Sequence, residues 1–351
     1  ALVAYSLVCL FAGVGMLACR DPNGIRPLSV AKRDAEGDGD DYAFASEDVA
    51  FGINGFDKIR DLKPGEAMLV DLDGNLHEFQ AVEGELTPCI FEYVYLARPD
   101  SVLDGVSVYQ AQIRMGKTLA KQVQESGLDI DAIIPVPDSA RPVALEVSNI
   151  TGIRYREALV KNRYVGRTFI MPGQEERQKS VRRKLNAIPR EMEGRNILLI
   201  DDSIVRGNTI KKIVQMCREA GGKKVYIASA SPPVSHPNVY GIDMPTKHEL
   251  IANGMSVEEI REELGADALF YQKLEDLIWA AKEGNPEIER FDCSCFDGNY
   301  ITGGVTPEYL AALEGSSRVS KKIEEAPTPG ASWNGAPLAT SQGWGRDPAG
   351  G

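Results

Sequence analysis

NILLIDDSIVRGNTI, residues Asn196 to Ile210, decides how the rest of the sequence reads. Ile197 to Ile200 is a short, branched apolar run of the kind that forms a central strand covered on both faces. It ends in Asp201 and Asp202, so a strand tip carries two adjacent carboxylates. A small polar turn follows from Ser203 to Thr209, with Gly207 inside it. Ile210, Ile213, Val214 and Cys217 then recur at helical spacing until Gly221 and Gly222 stop the helix.

A turn feeding a helix N-terminus offers unpaired backbone N–H groups and the positive end of the helix dipole, which together hold a phosphate. Gly207 lets the backbone come close, and the hydroxyls of Ser203 and Thr209 can add hydrogen bonds. The two carboxylates must serve another part of the ligand, because they repel phosphate but accept hydrogen bonds from sugar hydroxyls and attract Mg²⁺. A phosphorylated sugar satisfies both halves. The plainer reading is a strand-to-helix connection whose aspartates cap the helix.

The 351 residues suit two domains with a sizeable core. At 43% apolar and 26% charged the composition is that of an ordinary soluble protein, and a net charge of −12 disfavours nucleic acid and anionic membrane as partners. Six scattered cysteines read as reduced thiols of a cytoplasmic protein. Residues 1 to 19 are uncharged and mostly apolar, but they have no basic leader and are split by Gly13 and Gly15. Tyr5 to Phe11 and Gly15 to Cys19 are therefore expected to be two buried strands around a tight turn, with Cys9 and Cys19 as buried, inert thiols. Tyr42 to Ser46 and Ala67 to Val70 read as strands, and Asp34 to Asp41 as an acidic surface loop.

Tyr109 to Val123 has the pattern of an amphipathic helix, with Ile113, Leu119, Ala120 and Val123 on its apolar side. Asp131 to Val136 is a second strand whose tip carries Asp138 and Ser139, and Pro142 to Val147 begins the next helix. In a parallel α/β sheet the C-terminal tips share one edge, so Ser139 and the Asp201/Asp202 pair can converge on one ligand. A plain helix cap is the alternative for Asp138 and Ser139. Lys161 to Lys184 carries eight Lys or Arg against Glu175 and Glu176, interrupted by Gly166, Pro172 and Gly173. That stretch is either a solvated surface or a basic lid over an anionic substrate. Val225 to Ala230 reads as a further strand, and Lys247 to Ala252, Val257 to Leu264 and Leu274 to Ala281 as helices.

IDDSIVRGNT resembles the phosphoribosyl pyrophosphate (PRPP) loop of type I phosphoribosyltransferases. With RDPNGIRPL at Arg20 to Leu28, EYVYLARPDS at Glu92 to Ser101 and the basic segment, the chain resembles the glutamine PRPP amidotransferases over about residues 1 to 320. The resemblance implies an α/β fold, a type I phosphoribosyltransferase parallel sheet flanked by helices, preceded by a partial α+β glutaminase domain of the N-terminal-nucleophile-hydrolase type. The implied division is 1–87 for the glutaminase remnant, 88–314 for the transferase domain with its C-terminal helices, and 315–351 for a disordered tail rich in Gly, Ser, Pro and Ala.

The resemblance also implies the reaction. PRPP, glutamine (or ammonia) and water give phosphoribosylamine, glutamate and pyrophosphate, the first committed step of purine synthesis. Asp201, Asp202, Ser203, Arg206, Gly207, Asn208 and Thr209 would bind PRPP, joined by Lys161, Arg163, Tyr164 and Arg167 from the closing loop. Ser139, Asp201 and Asp202 would lie at Mg²⁺. The family's glutaminase opens on a cysteine nucleophile, whereas this sequence opens on Ala1, so no catalytic nucleophile is assigned and only the PRPP half is expected intact. Purine nucleotides as feedback inhibitors and a homo-oligomer are further implications. One branch of the family carries an iron–sulfur cluster, but here Asn238 stands at a ligand position and Cys293 and Cys295 are spaced CxC, so with Cys89 only three thiols remain and no cluster is expected. His77, His236 and His248 show no zinc-ligand spacing. A PRPP sensor without turnover and a salvage-type phosphoribosyltransferase are the alternative readings.

Overall fold

The computed structural model describes residues 4–34, 39–162, 185–244 and 246–315. The N-terminal half is built from two small antiparallel sheets. Strands β1 (Ser6–Phe11) and β2 (Gly15–Arg20) form the predicted hairpin, in which Phe11 pairs with Gly15. Strands β3 (Ser29–Asp34) and β4 (Asp40–Ala45), a short helix α1 (Val49–Gly52), and strands β5 (Asp57–Asp61), β6 (Glu66–Asp71) and β7 (Leu76–Gln80) follow. One sheet has the order β1-β2-β6-β7 and the other β4-β3-β5. Ala18, Leu28, Val30, Leu62 and Met68 close a core of their own.

Three expectations need correction in this half. β1 is an edge strand and is not buried: Leu10 is 84% exposed, and Leu7, Val8 and Phe11 are each close to half exposed. Cys9 and Cys19 are accordingly half-buried. Of the acidic segment 34–41, residues 35–38 lie outside the described residues, while Asp34, Asp40 and Asp41 belong to strand ends where Lys32 and Arg33 pair with Asp40 and Asp41.

A π-helical turn at Glu92–Leu96 leads to the second half. There a two-stranded hairpin, β8 (Val102–Leu103) and β9 (Val106–Ser107), runs directly into α2 (Val108–Glu125), whose first turn is capped by the Ser107 side chain. The remaining elements are β10 (Ala132–Pro135), α3 (Arg141–Thr151), β11 (Arg154–Tyr155), β12 (Leu159–Lys161), β13 (Leu185–Ala187), β14 (Asn196–Asp201), α4 (Asn208–Glu219), β15 (Lys224–Ser229), α5 (Val257–Leu264), β16 (Ala268–Tyr271), α6 (Leu274–Lys282) and the short α7 (Ser294–Asp297). β12 and β13 pair with each other as a separate ribbon.

Five strands make an all-parallel sheet in the order β11-β10-β14-β15-β16. β14 is its centre, and its residues alternate between two cores. Leu198 and Ile200 pack with Met115, Leu119 and Val143 of α2 and α3, while Ile197 and Leu199 pack with Ile213, Val214 and Ile260 of α4 and α5. Both faces are covered by helices, which is why the run carries no alternating polar residue. The expected helix from Lys247 to Ala252 is instead a single 3₁₀ turn, Lys247–Glu249, because Leu250 is already extended (φ −86°, ψ 118°). No helix among the described residues is long and apolar enough to cross a membrane.

Candidate functional site

Parallel pairing brings the C-terminal tips of β10 and β14 side by side: Pro135 is in register with Ile200. From that edge Ser139 and Asp202, 63 positions apart in sequence, meet in a hydrogen bond from the serine Oγ to the carboxylate Oδ2. The other Asp202 oxygen accepts from Ser203 Oγ at 2.7 Å, and the Asp202 amide donates to Asp201 Oδ1 at 2.9 Å. Both aspartates are buried, at 9% and 7% exposure. Burial pushes the Asp201 carboxyl well above the usual carboxylate range, with repulsion from Asp202 acting in the same direction. Asp202 is also raised by burial, and its hydrogen bonds from Ser139 and Ser203 oppose the shift. Two adjacent acids held out of water in this way favour the arrival of a cation or of hydroxyl donors.

Immediately beyond, the backbone turns at Gly207, whose φ of +75° lies in the left-handed region. Gly207 offers no side-chain cap to α4, so the first-turn N–H groups are left to other partners. A methyl group at this position would lie 2.4 Å from Ile251 Cδ1 and 3.3 Å from Leu264 Cδ2. The glycine is therefore needed for packing beneath the turn as well as for approach from above. Asn208 and Thr209 are exposed at the start of α4. Arg206 donates to Glu249 Oε2 from Nε at 3.2 Å and from Nη2 at 3.1 Å, and Asp243 lies 3.7 Å away.

Lys161, at the end of β12, pairs with Asp138 at 3.0 Å, and Arg141 pairs with the other Asp138 oxygen at 3.2 Å. Lys161 is thus tied through Asp138 to the segment that follows β10. Arg163, Tyr164 and Arg167, with most of the basic segment, lie outside the described residues. Glu249 and Ile251 were not singled out from sequence. They support the turn because the Ile251 amide donates to Val205 O at 3.0 Å, and the only local clue was an apolar residue in a segment that read as helix.

The sequence profile of the phosphoribosyl transferase domain matches residues 107–233, which run from β9 through the tip of β15. Over 313 residues the chain is 53% identical to the amidophosphoribosyltransferase of Pseudomonas aeruginosa, covering 88% of this chain and 62% of that protein. The Escherichia coli amidophosphoribosyltransferase is 52% identical over 314 residues, with 89% and 62% covered. The chain is a relative of the amidophosphoribosyltransferases. Its fold agrees: the solved glutamine PRPP amidotransferase from B. subtilis, complexed with ADP and GMP, superposes with a TM-score of 0.73 at 40% identity over 85% of this chain and 64% of that one. The chain thus spans less than two thirds of the length of these relatives. The type I phosphoribosyltransferase sheet flanked by helices is the architecture they share.

Cys89, Cys293 and Cys295 are buried, and burial pushes all three thiols up, with added repulsion from Asp292 on each and from Cys89 on Cys295. Among the described residues no group of three or more His, Cys, Asp or Glu is arranged to hold a metal ion. The donor set at the β10 and β14 tips, two carboxylates and a hydroxyl, is made of hard oxygen ligands. It suits Mg²⁺ completed by substrate oxygens and water better than it suits a self-sufficient metal cage.

Proposed function

We propose that this chain binds PRPP at the β14 tip and transfers its phosphoribosyl group to ammonia, the PRPP half of the amidophosphoribosyltransferase reaction that opens purine synthesis. The observation that carries the reading is the buried Asp201–Asp202 pair, bonded to Ser139 and followed at once by the left-handed Gly207 and the uncapped start of α4. A ligand with vicinal hydroxyls at one end and a phosphate at the other matches both parts.

In this reading Asp201 and Asp202 accept hydrogen bonds from the ribose hydroxyls. Backbone N–H groups of Ser203 to Thr209 hold the 5′-phosphate, with Arg206, Asn208 and Thr209 at its rim. Lys161, Arg163, Tyr164 and Arg167 belong to the pyrophosphate side. Ser139, Asp201 and Asp202 would hold Mg²⁺, which when bound offsets negative charge on the leaving pyrophosphate. The ammonia lone pair forms the C–N bond at C1 while the C1–O bond breaks and its electrons leave with pyrophosphate; the ammonium product then loses a proton to water. Ammonia is itself the nucleophile, so the site needs positioning and charge stabilisation and no strong protein base.

The division at about residue 88 into a glutaminase-related half and a transferase half, a cytoplasmic location, assembly as a homo-oligomer and inhibition by purine nucleotides complete the proposal. For the last, support comes from the ADP and GMP named with the B. subtilis protein. The test is pyrophosphate release from PRPP and Mg²⁺ with ammonium as nitrogen source, against the same mixture with free purine or pyrimidine bases. Release with ammonium alone is expected; release only with a base would replace this reading by a salvage activity.

A further inference from the structure

Arg20, at the end of β2, is 1% exposed, yet every guanidinium N–H has a partner. Nε donates to Arg26 O at 2.9 Å. Nη1 donates to Leu62 O and to Asp104 Oδ1, both at 2.7 Å, and Nη2 donates to Gly24 O and to Asp104 Oδ2, both at 2.8 Å. The two-pronged pairing with Asp104 crosses from the N-terminal half to the hairpin that starts α2.

Asp104 is placed for this by an uncommon backbone. It is the one non-glycine residue with positive φ among the described residues, at 49°, and Gly105 follows at 76°. Two consecutive left-handed residues form the tight β8–β9 turn, a geometry that Asp-Gly accepts readily. Asn285, just beyond α6, donates from Nδ2 to the Asp104 carbonyl at 2.9 Å, so the turn is gripped from the transferase side too.

Further polar links from the N-terminal half reach the same segment. Glu47 Oε2 accepts from the Arg98 amide at 2.8 Å and from Ser101 Oγ at 2.6 Å, Asp48 Oδ1 accepts from the Val102 amide at 3.0 Å, and Lys58 Nζ donates to Val102 O at 2.8 Å. Packing alone would not call for a buried charge at this joint. Removing two ions from water is costly, and apolar side chains of similar volume would adhere as well. What a fork-to-fork pair adds is direction, because both bonds form at only one relative orientation of the two surfaces.

We propose that Arg20 and Asp104 are positioning residues that form an orientation lock, fixing the angle at which the N-terminal half seats on the transferase domain without touching the PRPP site. The inference holds whether or not the chain turns over PRPP. Hydrogen exchange on the full chain tests it. Asp104→Asn keeps the size and the tolerance of a left-handed backbone but removes the charge and one acceptor. Amides 21–28 and 98–108 should exchange at least tenfold faster, those of β14 should keep their rate, and PRPP affinity measured by titration should stay within twofold. Arg20→Lys, which keeps the charge and loses the fork, should give an intermediate effect.

Unchanged exchange at 21–28 and 98–108, or acceleration spread equally into β14, would overturn the lock. Should Asp104→Asn fail to fold, Arg20→Met combined with Asp104→Asn removes the orphaned charge as well. A lock predicts that the double variant folds and shows a broadened distance distribution between spin labels placed on the two halves. A double variant that also fails to fold, or one with the native distribution, would refute it.

Discussion

Asp202→Asn separates binding from folding at the proposed site. Asp202 is buried and acts as acceptor for both Ser139 and Ser203. An asparagine has the same shape, its Oδ1 can keep one of these bonds, and its Nδ2 can donate to the other serine once that hydroxyl turns. The native carboxyl is raised by burial, which means that at neutral pH its charge works against the fold. The substitution also relieves the repulsion that lifts Asp201. Stability at neutral pH should therefore be unchanged or higher.

Binding should move the other way. Each hydrogen bond to a charged group contributes about 1.5–3 kcal/mol, and a proposed ribose hydroxyl bond to this carboxylate is lost. PRPP affinity in the presence of Mg²⁺ should fall about ten- to a hundred-fold. Calorimetric titration gives the affinity, and denaturant unfolding of the same preparation gives the stability. A variant that binds PRPP as tightly as the parent would refute the assignment of the acidic tip. A variant that loses binding only because its unfolding midpoint collapses would refute the claim that the pair is held against the fold's own preference.

Gly207→Ala places a side chain on a left-handed residue and against Ile251, so it should cost about 1–2 kcal/mol in urea unfolding and weaken phosphate binding together; an unperturbed midpoint would show that the turn does not need glycine. Lys161→Ala removes a half-exposed pair with Asp138 and should change stability by less than about 1 kcal/mol, yet lower PRPP affinity about tenfold; equal affinity would remove Lys161 from the site. Burial raises Asp292 from 3.8 to about 6, so the folded state holds its proton more tightly than the unfolded chain does. The stabilisation from that proton is complete below about pH 4 and is lost as pH rises through about 6. Asp292→Asn should flatten the stability profile across that window and be more stable at pH 7.5 by up to about 3 kcal/mol, measured by chemical unfolding at about pH 4 and at about pH 7.5.

Much of the transferase half was legible because its signals are local. An apolar run covered on both faces, a pair of acids at its end, a glycine turn and a helical period lie within the stretch from Asn196 to Cys217, and each follows from backbone and side-chain chemistry of near neighbours. The helix Val257–Leu264 was read with the same bounds, since its amphipathic period is equally local.

Contacts between distant segments left no such mark. That Ser139 bonds Asp202 could be expected from parallel strand tips sharing an edge, but its pairing with one acid and not the other came from the tertiary register. Nothing near Gly207 announced that Ile251 fills the space where a Cβ would go, and the 247–252 segment read as a helix that the extended Leu250 does not allow. β1 looked buried by composition, yet burial depends on what lies across the sheet, and hydrophobicity along one strand cannot supply that. The pairing of Arg20 with Asp104, 84 positions apart, shows the same division most clearly. Asp-Gly marks a turn by its own backbone preference, whereas the arginine that meets the carboxylate is chosen by the fold of both halves.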